Sequence, residues 1–311
     1  YVVCGLGDGS YPNKLFQQTA EGNFIDVAEK VGLDIGLIGS FLWLDADLDD
    51  DMDLFWSDKR GFFLYKNESG TFSPTHLLSS RPTVKLTTAD YDNDGDLDIF
   101  SASPAGNVLF INTGETFSAV TPLSVGLPKK STTANWVDYQ NDGLLDLHTV
   151  PNGLYVQKQK GEFTFASQLR ITREKFSPFR LNGARTAWFD VDNNGSRDLL
   201  LAKMYKAKGA KWARRFVTLT GLDERFGGLD YYWKSLLFKN TNTANHWLQV
   251  QLTGPPGNRP AIGALVTLQT ANGKQLQQVG GSEGSHYSQG HYRIYFGLGL
   301  HPGPLSLSVD W

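Results

Sequence analysis

Short apolar or alternating runs recur along the chain in pairs, and each pair is divided by a polar gap. FLWL (41–44) and DLFW (53–56) form one pair, and ANWV (134–137) and DLHTV (146–150) another; TAWF (186–189) and DLLLA (198–202) follow the same form, and DIFSA (98–102) is the returning half of a fourth. Runs of four or five residues rich in β-branched and aromatic side chains predict strands, and the polar gap predicts a hairpin connection. Periodicity of the helical kind is absent. The gaps themselves repeat: LDADLDDDMDLFW (44–56), ADYDNDGDLDIFS (89–101), VDYQNDGLLDLHT (137–149) and FDVDNNGSRDLLL (189–201). Their first aspartates, Asp45, Asp90, Asp138 and Asp190, are 45, 48 and 52 residues apart. That period belongs to propeller blades or solenoid units.

A second signature follows each gap. FFLYKNESGTF (62–72) and NVLFINTGETF (107–117) place Phe72 and Phe117 27 residues after the first aspartate, and LYVQKQKGEFTF (154–165) puts Phe165 at the same offset. This adds a strand pair, so each repeat holds about four strands, as a propeller blade requires. Solenoid repeats of this length are mostly helical. The expected fold is therefore all-β: a β-propeller of four-stranded blades with calcium-binding hairpin loops, closed or followed by a β-rich C-terminal module. The expected division is 1–244 for the propeller, with a partial blade over 1–36 and blades beginning near 37, 83, 131 and 184, and 245–311 for the module. NKLFQQTAEGNF (13–24) matches the second signature, and YVVCG (1–5) aligns with the strand that leaves an acidic loop. Either the chain begins inside a blade, or its C-terminus supplies the missing strand and closes the ring. Between Leu201 and SLLFKN (235–240) the fourth repeat carries a basic insertion.

Composition sharpens this picture in one respect. The 311 residues are 40% hydrophobic and 20% charged with a net charge of -3, the values of an ordinary soluble globular protein. Yet 17 of the 32 acidic residues fall within the four gaps, and the remainder of the chain is basic. The single Cys4 excludes an internal disulfide framework and a cysteine-cluster zinc site. No apolar stretch approaches the ~20 residues of a membrane helix, and no signal-peptide pattern opens the sequence.

In each gap, alternate positions carry oxygen side chains. Positions 1, 3, 5 and 9 are Asp45, Asp47, Asp49 and Asp53; Asp90, Asp92, Asp94 and Asp98; Asp138, Gln140, Asp142 and Asp146; and Asp190, Asp192, Asn194 and Asp198. Position 7, which is Asp51, Asp96, Leu144 or Ser196, can add a backbone carbonyl. Position 6 is Gly95, Gly143 and Gly195, where the chain turns with positive φ, and Asp50 in the first loop. Two carboxylates ~4 Å apart repel by roughly 4 kcal/mol at an effective dielectric of about 20, so such a loop needs a cation or must open. Oxygen-only donors favour calcium over zinc. The bland alternative is an acidic surface turn. Four calcium ions would take the net charge from -3 to +5.

The D-x-D-x-D-G-x-x-D loops, each followed by an LF-x-N-x-x-G-x-F-like strand pair, resemble the FG-GAP/VCBS repeats of integrin α-subunit propellers. LFQQTAEGNFIDVAEKVGL (15–33) is similar to the version found in the cartilage acidic protein 1 family and its bacterial or cyanobacterial homologues, where a short helical turn follows the repeat. From about Asn245, NHWLQVQL, NRPAIGA (258–264), FGLG (296–299) and LSLSVDW resemble the ASPIC/UnbV module of that family. The resemblance implies a calcium-binding scaffold for protein or glycan partners or for adhesion, secreted or periplasmic, without catalysis. The alternative is an enzyme or lectin acting on carbohydrate at the propeller face.

Other candidate chemistry is weaker. GGSEG (280–284) fits a nucleophile-elbow string around Ser282, but a strand follows where that motif needs a helix. His76, His148, His246, His286, His291 and His301 form no metal-binding pair. The basic stretch over 203–215, with Lys203, Lys206, Lys208, Lys211, Arg214 and Arg215, fits a solvated loop or an acidic partner, and no nucleic-acid fold signature accompanies it. Asn67-Glu68-Ser69 and Asn194-Gly195-Ser196 are glycosylation strings.

Overall fold

The computed structural model describes residues 12–36, 39–78, 85–166, 185–206, 231–241, 244–271, 273–281, 292–300, 303 and 305–311. The proposed first strand with Cys4, the stretch from Lys208 to Arg215, Ser282, His286, His291 and His301 lie outside the described residues. Strands dominate. A small sheet pairs β1 (Phe16–Gln18) with β2 (Phe24–Asp26), and a one-turn helix α1 (Ala28–Val31) follows.

Three consecutive four-stranded antiparallel sheets come next. The first is β3 (Ser40–Leu44), β4 (Asp53–Asp58), β5 (Gly61–Glu68) and β6 (Thr71–Leu78). The second is β7 (Lys85–Ala89), β8 (Asp98–Ala102), β9 (Val108–Asn112) and β10 (Phe117–Val120). The third is β11 (Thr133–Val137), β12 (Asp146–Val150), β13 (Gly153–Gln159) and β14 (Glu162–Ala166). A fourth sheet shows three strands, β15 (Arg185–Phe189), β16 (Asp198–Lys206) and β17 (Tyr231–Phe238). The long β16–β17 pairing from Leu199↔Phe238 to Lys206↔Tyr231 means that the insertion begins after Lys206 rather than after Leu201, because the hairpin ladder continues into it.

The sheets are stacked like blades, with the first strands β3, β7, β11 and β15 side by side. Apolar faces meet between neighbours, since each sheet has two apolar faces and must cover both. Phe55 and Phe62 of the first blade pack edge-on against Phe110 of the second, with ring centres 5.2 and 4.8 Å apart. Tyr91 stacks on Trp136 of the third blade, and Tyr139 meets Trp188 of the fourth. The shared offset of Phe165 proves misleading. Phe165 is exposed, and Phe163 fills the buried site taken by Phe72 and Phe117 elsewhere. Phe72 pairs with Asn67 and Phe117 with Asn112, but Phe163 pairs with Gln157, and a bulge between Gln157 and Gln159 shifts the later register.

A side-chain amide joins each blade to the one before it. Asn112 Nδ2 donates to the Ala46 carbonyl at 2.7 Å, Gln157 Nε2 to Tyr91 at 2.9 Å, and Asn240 Nδ2 to Tyr139 at 2.9 Å. The same amides reach back into their own loops, Asn112 to the Leu97 carbonyl and Gln157 to Leu145.

The C-terminal strands β18 (His246–Gln251), β19 (Leu265–Thr270), β20 (Gly273–Gln278), β21 (Arg293–Gly299) and β22 (Ser306–Asp310) form two sheets, β18-β21 and β20-β19-β22. They enclose their own apolar cluster around Val266, Leu268, Ile294 and Phe296, while Leu265 and Leu276 join the cluster of the first two blades. This part lies against all four acidic loops. Gly263 faces Met52, Lys274 faces Gly95, Gln275 and Gly297 face Gly143, and Trp247 faces Gly195. The Gly299 N–H donates to the Asn141 carbonyl, and the Arg197 guanidinium lies 3.2 Å from the Tyr295 ring centre.

Two outcomes are expected. Asn112→Ala leaves the buried Ala46 and Leu97 carbonyls without a donor and costs about 1–3 kcal/mol in urea unfolding. Asn67→Ala, whose amide reaches only the Met52 carbonyl of its own blade among the described residues, costs less; equal costs would deny the inter-blade role. A side chain at Gly297 would meet Asp138 Oδ2 and the Asn141 backbone, so Gly297→Ala speeds amide exchange in β21.

Candidate metal centre

All four loops fold alike because the same side chains satisfy the same backbone groups. The carboxylate at position 1 accepts the N–H of position 5: Asp49 to Asp45, Asp94 to Asp90, Asp142 to Asp138 and Asn194 to Asp190, at 3.0–3.2 Å. Position 5 in turn accepts the N–H of position 7, from Asp51, Asp96, Leu144 and Ser196. The position-9 aspartate is buried in every loop and accepts from the third strand, where Asn67, Asn112, Gln157 and Asn240 donate at 2.7–2.8 Å. In three loops its other oxygen accepts the N–H of position 2, from Ala46, Tyr139 and Val191.

Two residues per loop adopt positive φ. At position 6, Asp50 takes φ 70° where Gly95, Gly143 and Gly195 stand in the other loops. At position 4, Leu48, Asn93, Asn141 and Asn193 take φ 55–60°. Position 4 is the feature the sequence reading missed. Asn93 Nδ2 donates to the Gly143 carbonyl and Asn141 Nδ2 to the Gly195 carbonyl, so each asparagine binds the next loop in the row. Its signal was present, because asparagine tolerates the left-handed region better than most residues and recurs at one position.

In three of the loops acidic side chains converge, whereas Asp138, Asp142 and Asp146 of the third form no such group among the described residues. Oxygens of Asp45, Asp47 and Asp53, of Asp90, Asp92 and Asp94, and of Asp190, Asp192 and Asp198 lie within 4.8 Å of one another in their own loops. In the second loop four buried carboxylate oxygens have no hydrogen-bond partner: Asp90 Oδ2, Asp92 Oδ1, Asp96 Oδ1 and Asp98 Oδ2. Asp47 Oδ1 and Gln140 Oε1 are in the same condition. A buried polar atom without a partner costs free energy, and a set of acceptors without donors is what a hard cation satisfies. The donor set therefore fits calcium. At position 7 the second loop offers a carboxylate, Asp96, and not only a carbonyl.

The remaining candidates do not gather into a site. His148 is fully buried in β12, edge-on to Trp188 at 5.3 Å, and burial lowers its pKa to about 4, so it is neutral. His76 and His246 are exposed and far apart in sequence. Asn67 is engaged as an acceptor from Gly70 and a donor to Met52, which opposes its use as a glycosylation acceptor. A cavity of about 80 Å³ lies between the second and third loops and the C-terminal strands, lined by Asn93, Asp142, Lys160, Lys274 and Gln275. That is well below the roughly 300 Å³ of a small-molecule site.

Electrostatics record the crowding. Burial pushes Asp98 up to about 9, with Asp92, Asp96 and Asp94 adding repulsion. Burial raises Asp90 and Asp138 to about 7, and Asp53 and Asp96 to about 6. Asp146 is also raised well above the ordinary value, first by burial and then by Asp138. Without an ion, the folded protein holds protons that the unfolded chain has released above its ordinary value of 3.8. Their contribution to stability is complete below about pH 4 and is lost as pH rises through 6 to 9. In a chelating buffer the melting temperature is expected to fall between pH 5 and pH 9. A rise over that interval would contradict the burial of these carboxyls.

Comparison with known proteins agrees with this geometry. The family described as FG-GAP-like repeat matches residues 45–101 and 90–149, and the family described as ASPIC and UnbV matches 254–311. No curated protein matches the chain. A solved Agrocybe aegerita lectin, described for its recognition of non-reducing terminal N-acetylglucosamine, is 15% identical with a TM-score of 0.39. The match covers 65% of this chain and 52% of the lectin, so the chain spans about half that structure's length, and a likeness this low carries no argument. The chain carries FG-GAP-like repeats over 45–149 and an ASPIC and UnbV domain over 254–311.

Proposed function

We propose that the chain is a calcium-loaded propeller scaffold that binds a protein or glycan partner outside the cytoplasm, with the ions structural. The observation that carries this reading is the second loop, where Asp90, Asp92 and Asp94 bring oxygens within 4.8 Å of one another and four buried carboxylate oxygens lack a donor. A calcium ion replaces their mutual repulsion with coordination and ties the end of β7 to the start of β8. Because the loop fold recurs four times, it acts on the frame as a whole; a catalytic carboxylate pair is normally unique. Sites of this class with dissociation constants near ~0.1 mM are empty in cytosol, which supports a secreted or periplasmic address.

The strand alternation puts every acidic loop at one end of its sheet and the turns Lys59–Arg60, 103–106 and Pro151–Asn152 at the other. Since the ASPIC and UnbV strands lie on the loop end, the opposite end is the surface offered to a partner. No helix among the described residues is long and apolar enough to cross a membrane.

Tenfold-saturating calcium stabilises each site by about 1.4 kcal/mol, which corresponds to roughly 3–6 °C in a domain of this size. Chelation is therefore expected to lower the melting temperature by that amount per occupied site. Asp98→Asn removes a strongly perturbed carboxylate, so it raises the melting temperature in chelator and shrinks the response to calcium. An identical melting curve with calcium and with chelator would end the proposal.

A further inference from the structure

The four loops are not equivalent, and the difference lies in the residue that precedes each inter-blade amide. In the first blade this residue is Lys66, before Asn67; in the fourth it is Lys239, before Asn240. In the second and third it is Ile111 and Val156. The backbone N–H of each amide residue bonds the position-9 aspartate, so the shared register delivers the preceding side chain to the same place beside every loop. Lys66 Nζ lies 3.0 Å from Asp47 Oδ2, and Lys239 Nζ lies 2.6 Å from Asp192 Oδ2. Asp47 and Asp192 are the third-position carboxylates of loops 1 and 4.

Resting on the calcium reading above, we infer that Lys66 and Lys239 are built-in counter-ions that hold the third-position carboxylates of loops 1 and 4. Divalent ions then bind tightly at loop 2 and weakly at loops 1 and 4. Loop 2 has four unpartnered carboxylate oxygens, whereas loop 1 keeps only Asp47 Oδ1 and loop 4 has none among the described residues. In loop 4 every carboxylate is already engaged: Asp190 by the Asn194 and Gly195 N–H groups, Asp198 by Val191 and Asn240, and Asp192 by Lys239.

The lysine opposes an ion in two ways: it occupies the oxygen that would coordinate, and its charge repels a divalent cation at contact range. Lys160 also approaches loop 2, but it donates to the Asn93 carbonyl and leaves the carboxylates free. Lys66 and Lys239 thus act as specificity-determining residues for the number of ions.

The test is calorimetric titration of the chelator-stripped full chain with calcium chloride. The wild type is expected to show one tight site. Lys66→Met and Lys239→Met, half-exposed positions at which folding is checked by circular dichroism, are each expected to tighten one weak site by roughly tenfold or more. Lys239→Arg keeps the charge and the wild-type isotherm. Asp92→Asn removes the tight site and Asp192→Asn does not. Four equal sites in the wild type, or an unchanged isotherm in the double methionine variant, would overturn the inference while leaving calcium binding intact. No binding in any variant would remove the calcium reading itself, and the inference with it.

Discussion

The position-9 aspartate of each loop holds the structure together. Asp53, Asp98, Asp146 and Asp198 are the first residues of their strands, fully buried, and each accepts a backbone N–H from the third strand. A buried carboxylate is tolerated only when its oxygens are satisfied. In three loops both oxygens are satisfied by the protein, and in the second loop one is not. The same group therefore closes the hairpin and sets the register of the next strand.

From that anchor the blades are joined in a row. The amide residue that donates its N–H to the aspartate sends its side chain to the carbonyl of the preceding blade's second loop position, and the residue at that position stacks its ring on the next blade's tryptophan where it is a tyrosine. Asparagine at position 4 repeats the linkage one layer higher. Polar connections at the loop end and aromatic contacts between sheets thus share the same residues, so loop order and blade packing depend on each other.

The ASPIC and UnbV strands add a second demand on the loops. The position-6 glycines serve the positive φ of the turn, and they also leave room for Lys274, Gln275 and Trp247 to come close. Gly297 does the reciprocal service, since its bare Cα lies against Asp138 and Asn141. One end of the sheets is consequently covered by the protein's own C-terminal strands.

Much of this was legible in the residues. The recurrence of aspartate at positions 1, 3, 5 and 9 and the alternating runs beside them were local patterns, and local hydrogen bonding converts them directly into hairpins. The four-strand count and the separate character of the chain after about Asn245 were equally local. Three matters were not. Phe163 takes the place expected of Phe165 because Gln157 follows its aspartate by 11 residues where Asn67 and Asn112 follow theirs by 14, a shorter connection that only the strand pairing makes visible. The joining of blades through Asn112, Gln157 and Asn240 involves partners 66 to 101 residues away. The lysine ion pairs of loops 1 and 4 bring together residues 19 and 47 apart, which no count of acids reveals. Sequence period specifies which groups a repeat carries; which of those groups meet across strands and blades is settled by packing, because only the folded register brings distant donors to a particular oxygen.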